Sequence, residues 1–325
     1  MTIKRGLLVG AAIWAGVAAL GSAQSEPTVT NATTAVLAAF RSHDVVMLGE
    51  MHGNKQEYDW LRDLVANPEF ADTVDDIVVE FGNSFYQQTV DRYVSGENVP
   101  LKEVQGAWRD TVAAVGPPSP VYSSLYEAVR EVNLKRKGKH QMRILCGDPA
   151  INWQQIKEGS DIVPFLRTRE QVYAEVVEKE AIAKHHHALL VMGAFHFLRH
   201  FPARQQFDIE QQLRNAGART YLIVTGTSTT GTAGEVDRRF DAWRVPSIVV
   251  LEVNWVGALP ALPVITGGHG PPLANPKLEE AADALLYLGP PTSLSTVEMP
   301  QSELAGTPYG TELERRQKLQ MSLEK

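Results

Sequence analysis

The sequence predicts an α/β fold, a mainly parallel central sheet flanked by helices with a helical insertion after the second strand. Three observations carry this. Short apolar, β-branched runs recur at Val45–Leu48, Ile77–Glu80, Arg143–Cys146, Ala188–Met192, Tyr221–Val224, Ser247–Val253 and Ala284–Leu288. Stretches with helical spacing separate most of them, which is the pattern of βαβ units. Four of the runs lead directly into ionisable residues: Glu50 and His52, Glu80, Asp148, and His196. In an open parallel sheet, ligands sit outside the carboxyl ends of the strands.

The first element is a targeting segment rather than part of the fold. Lys4 and Arg5 precede Gly6–Leu20, an unbroken run of 15 apolar and small residues, and Gly21-Ser22-Ala23 supplies the small residues that a signal peptidase reads. The run is shorter than the ~20 residues of a spanning helix. Residues 1–23 are therefore expected to be removed, leaving residues 24–325 exported to the periplasm or the extracellular space with no stable membrane anchor.

Val45–Leu48 runs into Gly49-Glu50-Met51-His52-Gly53, a strand-to-helix turn. Glu50 and His52 are two residues apart, so extended backbone points both the same way. Gly49 and Gly53 permit close backbone approach or positive φ. Asn54 can cap a helix over Lys55–Val65, with Glu57 as its reciprocal partner three residues on. Tyr58, Leu61, Leu64 and Val65 fall on one face of that helix. Ile77–Glu80 ends in a carboxylate that needs a partner if buried. Gln87–Pro118 has helical character without a clear register and reads as the insertion.

Arg143–Cys146 continues to Gly147 and Asp148. The pair Asp148-Pro149 also fits a helix N-cap with Pro at the first helical position. Cys146, the single cysteine, reads as a buried strand thiol and excludes an internal disulfide. His185-His186-His187 precedes Ala188–Met192, at the amino end of the sheet, and three consecutive side chains diverge. It reads as a surface turn rather than a metal site. Gly193-Ala194-Phe195-His196 then places His196 just past a strand. Gly226–Gly234 and Gly267–Pro276, which contains His269, read as loops able to border a site. Glu312–Leu323 reads as a polar C-terminal helix.

Hydrophobic residues make up 44% of the chain, enough for a sizeable core. The net charge is −7, and loss of the two cations Lys4 and Arg5 takes it to −9. No run of Lys/Arg with interleaved aromatics is present, so nucleic acid is not an expected partner. A small-molecule or peptide substrate is.

The order Gly-Glu-x-His-Gly after a first strand, an apolar strand ending in Glu, and a later Gly-x-x-His resembles a known superfamily. It unites erythromycin esterases, ChaN-like haem-binding proteins and Tiki-type metalloproteases, and the chain resembles above all the ChaN-like branch. The resemblance spans Val45–Phe197 and implies one α/β domain over residues 24–325. Arg169, in Arg167-Thr168-Arg169-Glu170, resembles the arginine such proteins place before the Gly-x-x-His strand. Their Arg-Asp-x-x-Met sequence is absent here, and Tyr173 stands near the Met position.

The resemblance implies a hydrolase-like site of Glu50, His52, Glu80 and His196, with Arg169 and Asp148 toward the substrate. Two mechanisms are open. In one, His52, His196 and Glu50 hold a divalent metal; mixed imidazole and carboxylate ligands suit Zn, Mn or Fe, and the metal acidifies water for attack on an ester or amide. In the other, His52 or His196 is a general base oriented by Glu50 or Glu80. In either, Arg169 or a backbone amide of the Gly49–Gly53 turn can stabilise an oxyanion. A hydrolase is the first expectation, a haem or iron-chelate binding and uptake protein the second, and an inactive scaffold the third.

Overall fold

The computed structural model of the chain describes residues 25–112, 118–201, 207–227, 234–266 and 275–324. The expected signal segment, His269 and most of the two Gly-rich loops (228–233 and 267–274) lie outside the described residues. Among the described residues, no helix is long and apolar enough to cross a membrane.

Among the described residues, eight strands form one sheet: β1 (Val29–Asn31), β2 (Val45–Glu50), β3 (Asp76–Asn83), β4 (Arg143–Asp148), β5 (Ala188–Gly193), β6 (Thr220–Gly226), β7 (Ser247–Val250) and β8 (Ala284–Tyr287). Their order is β1-β7-β8-β6-β2-β5-β3-β4. The stretch from β8 through β6, β2, β5 and β3 to β4 is parallel throughout. β7 runs antiparallel to β8, and β1 antiparallel to β7.

Every expected strand is present, and the differences are at the ends. β3 continues three residues past Glu80, with an irregular register between Val79 and Asn83. The run expected to reach Val253 stops at Val250, and Val253 itself adopts φ +56°, outside extended backbone. β1 was invisible in the sequence, being three residues long.

Consecutive strand residues supply opposite layers. Val46, Leu48, Ile77 and Val79 pack beneath the helices Lys55–Ala66 and Val121–Lys135. Val45, Met47, Val78 and Leu190 pack beneath Arg169–Glu180 and Ile209–Asn215. Covering both faces explains why these strands read as unbroken apolar runs rather than alternating ones.

The helix Lys55–Ala66 begins as expected, Asn54 Oδ1 accepting from Glu57 N at 2.9 Å. The reciprocal half of the capping box does not form, because the Glu57 side chain turns inward toward the sheet. The insertion between β3 and β4 is helical at Gln87–Val94, Leu101–Val104 and Gly106–Arg109. No helix follows Asp148-Pro149, so the expected N-cap is corrected: the carboxylate of Asp148 is drawn into an ion pair instead.

The C-terminal helix spans Pro308–Met321, opening at Thr307, whose Oγ1 accepts from Gly310 N at 3.0 Å. It is less polar than its sequence reads. Leu313 is buried, and so is Arg316, which meets Asp110 at 2.8 Å and lies 4.9 Å over the Trp153 ring.

Candidate functional site

Because β4, β3, β5 and β2 are neighbours, their carboxyl ends gather residues far apart in sequence. Glu50 closes β2 and is buried. The chain then turns through Gly53, whose φ of +70° favours glycine. His52 folds back so that Nδ1 hydrogen-bonds Glu50 Oε1. Gly193 makes room for this: a Cβ there would lie 2.7 Å from His52 Cε1 and 3.4 Å from Glu80 Oε2. The other oxygen of Glu50, Oε2, is buried without a hydrogen-bond partner.

Glu80 lies at the centre. Its Oε2 accepts from Gly193 N at 2.7 Å, and Oε1 is 2.9 Å from Arg169 Nη2 and 3.3 Å from His196 Nε2. Arg169 Nε donates to Asp148 Oδ1 at 2.6 Å, and Asp148 Oδ2 accepts from Val112 N at 2.5 Å. His196 Nδ1 is 3.0 Å from Glu170 Oε1. Asp148, expected near the substrate, therefore has both oxygens engaged and stands behind Arg169.

The charges in this network set one another. Burial works against the Glu80 carboxylate, yet Arg169, His196 and His52 outweigh it and hold its pKa well below the ordinary range. Burial likewise opposes the Arg169 cation, and Asp148 and Glu80 more than offset that. At Asp148 burial wins over Arg169, and its pKa rises. The protein surroundings of His52 disfavour its charged form, but the Glu50 and Glu80 carboxylates lift its pKa to about 9. The ring still has 61% of its surface exposed, so solvent screens this attraction.

Glu50, His52 and Glu80 each bring a ligand atom within 4.8 Å of the other two, a grouping able to hold a metal ion. This differs from the expected set. Glu80 takes the third place, and His196 is outside the group, facing Glu80 and Glu170. The residues present suit a divalent transition metal: two carboxylates and one imidazole, with the orphaned Glu50 Oε2 as a buried acceptor. The His185–His187 turn lies at the opposite end of the sheet, where His186 Nδ1 pairs with Asp76 at 2.7 Å. Cys146 is buried, as expected.

Glu57, expected to close a capping box, has a different place. Fully buried, it accepts from Met51 N at 2.8 Å and from Thr225 Oγ1 at 2.7 Å. It thus ties the turn carrying Glu50 and His52 to β6. Burial, and then the Glu50 carboxylate, push its pKa up to about 8. A signal was available: position 57 precedes Leu61 and Leu64 by four and seven residues, so it falls on the apolar stripe of its helix.

Two cavities flank the pair Glu50–His52, of about 530 and 620 Å3, and both also border Thr296. Arg169 lines only the first and His196 only the second.

No protein-family model and no curated protein matches the chain. Solved structures do resemble it. A succinoglycan biosynthesis protein superposes with a TM-score of 0.54 at 10% identity, over 82% of this chain and 92% of that one. A Bacillus cereus protein gives 0.49 at 14% identity, over 85% and 97%. ChaN of Campylobacter jejuni, which binds haem cofacially, gives 0.34 at 12% identity, over 63% and 88%. The first of these likenesses shows a shared α/β fold, and at such identities none of them extends to chemistry.

Proposed function

We propose that the protein is an exported hydrolase of ester or amide bonds, assisted by a divalent metal held by Glu50, His52 and Glu80. The convergence of these three donors within 4.8 Å, one carboxylate oxygen being buried and unpartnered, supports this reading most strongly. A metal bound there supplies Lewis acidity to a carbonyl group and to water. The chain's own groups do the rest. Arg169, permanently charged and fixed by Asp148, faces the first cavity and offers a cation to a developing oxyanion. His196, braced between Glu80 and Glu170, borders the second cavity and can pass a proton to a departing group.

Hydrolysis of 4-nitrophenyl acetate tests this. Activity is expected to disappear with a chelator and return with Zn, Mn or Fe. His52→Ala and Glu80→Gln should each lower kcat/KM at least ~10²-fold, since even outer partners of metal ligands contribute 10–100-fold. Activity indifferent to chelator and to both substitutions would contradict the metal assignment. Export is tested separately, by amino-terminal sequencing of protein recovered from periplasm or medium. A start at Gln24 is expected, and a retained Lys4-Arg5 segment would rule the signal out.

A further inference from the structure

The cavity of about 530 Å3 beside Glu50 and His52 is also bordered by the phenol of Tyr122. Tyr122 lies in the first turn of the helix Val121–Lys135. Ser119, just before that helix, fastens its start to the cavity wall by donating from Oγ to Val297 O at 2.6 Å. The Tyr122 ring is stacked on Phe81, with centroids 4.2 Å apart and planes 8° from parallel, and meets the Tyr58 ring edge-on at 5.5 Å. Phe81 directly follows Glu80, so the stack fixes the phenol relative to that carboxylate. The hydroxyl has no hydrogen-bond partner among the described residues and, unlike the hydroxyl of Tyr58, is not sealed from solvent. Burial, and then the Glu50 and Glu80 carboxylates, hold its pKa well above the ordinary tyrosine range. The hydroxyl therefore keeps its proton and is available as a donor.

We infer that Tyr122 is a catalytic residue of this site, its hydroxyl donating a hydrogen bond to the substrate's carbonyl oxygen as negative charge develops there. The inference rests on the hydrolase reading and gives it a second oxyanion donor. Arg169 alone is poorly placed to serve, because it is already shared between two carboxylates, Glu80 at 2.9 Å and Asp148 at 2.6 Å. Its charge is balanced before any oxyanion forms. The carboxylates of Glu50, Glu80 and Glu298 border the same cavity and oppose further negative charge. A neutral hydroxyl carries no counterion, so its whole hydrogen bond is free when the charge appears. Held by the stack on Phe81, it needs no reorganisation at that moment, which is what makes an oxyanion donor effective.

The step balances with water as the only other reactant. The water oxygen adds to the carbonyl carbon, and the electron pair of the C=O π bond moves onto the oxygen that Tyr122 faces. That pair re-forms the double bond as the bond from carbon to the alkoxy oxygen breaks. One proton of the water ends on the alcohol and the other is released from the acid. Tyr122 keeps its own proton throughout.

Tyr122→Phe tests this, since it preserves the ring on Phe81 and removes only the hydroxyl. With 4-nitrophenyl acetate, kcat should fall about 10²–10³-fold, the range for loss of one oxyanion donor. KM should stay unchanged, as for an interaction made only in the transition state. Calorimetric titration with the tetrahedral analogue 4-nitrophenyl methylphosphonate should show affinity falling by a similar factor. A variant that melts at a lower temperature yet keeps wild-type kcat and analogue affinity would reveal packing alone and overturn the inference. A loss confined to KM would overturn it too. A crystal structure of the wild type with the phosphonate needs no variant: a phosphonyl oxygen within hydrogen-bond reach of Tyr122 Oη is expected, and one held away from it would contradict the role. Hydrolysis untouched by Tyr122→Phe removes Tyr122 alone, whereas a wild type that hydrolyses no ester removes the hydrolase reading and this role with it.

Discussion

Glu57 shows how one side chain can organise a site without belonging to it. Its two oxygens hold Met51 N and Thr225 Oγ1, and its pKa stands at about 8. In an unfolded chain a glutamate ionises near 4.3. Between those two values the folded protein keeps a proton that the unfolded chain has released, so stability falls as pH rises through that window. Glu57→Gln retains an acceptor for Met51 N and removes the titration. Between pH 6 and pH 9 the wild type is expected to lose at least ~1 kcal/mol relative to this variant, roughly 1–2 °C for a chain of this size. Melting curves that shift in parallel for both proteins would show that Glu57 is not titrating. The sequence made Glu50 and His52 legible through their spacing beside two glycines. It left Glu57 as a cap and Asp148 between a helix start and a place toward the substrate, because the partners that decide those roles, Thr225, Val112 and Arg169, arrive from distant segments.

At the scale of elements, the strands announced themselves because burial on both faces demands unbroken apolar runs. Their ends were less clear. β3 carries on past Glu80, and β7 stops at Val250, three residues before Val253 takes a positive φ. β1 and the buried side of the helix Pro308–Met321 depend on contacts that periodicity does not encode; Arg316, polar by type, is buried against Asp110 and Trp153. The end of β5 carries a sharper expectation. A Cβ at Gly193 would meet the His52 ring at 2.7 Å, and that ring, being largely exposed, can swing away. Gly193→Ala should therefore change the melting temperature by only a few degrees while weakening metal binding about 10–100-fold, the range for a misplaced ligand's supporting partner. Calorimetric titration with zinc measures this, and an unaltered affinity would show that His52 has no need of that space.

The whole molecule places its chemistry through strand order. Residues 50, 80, 148 and 196 come together only because β2, β5, β3 and β4 lie side by side, an order that four equally apolar runs do not disclose. The parallel direction was legible and put the polar groups at one end of the sheet. The same order separates the cavity bordered by Arg169 from that bordered by His196, with Glu50 and His52 between them. A metal that binds only the folded chain would also stabilise it, by about 2.7 kcal/mol at a hundredfold excess over its Kd. The most direct test of the site is elemental analysis of the protein purified without added metal or chelator, beside His52→Ala and Glu80→Gln. Near-stoichiometric Zn, Mn or Fe in the wild type and its loss from both variants is the expected result. No metal in the wild type, or the same content in all three proteins, would contradict a metal centre at Glu50, His52 and Glu80.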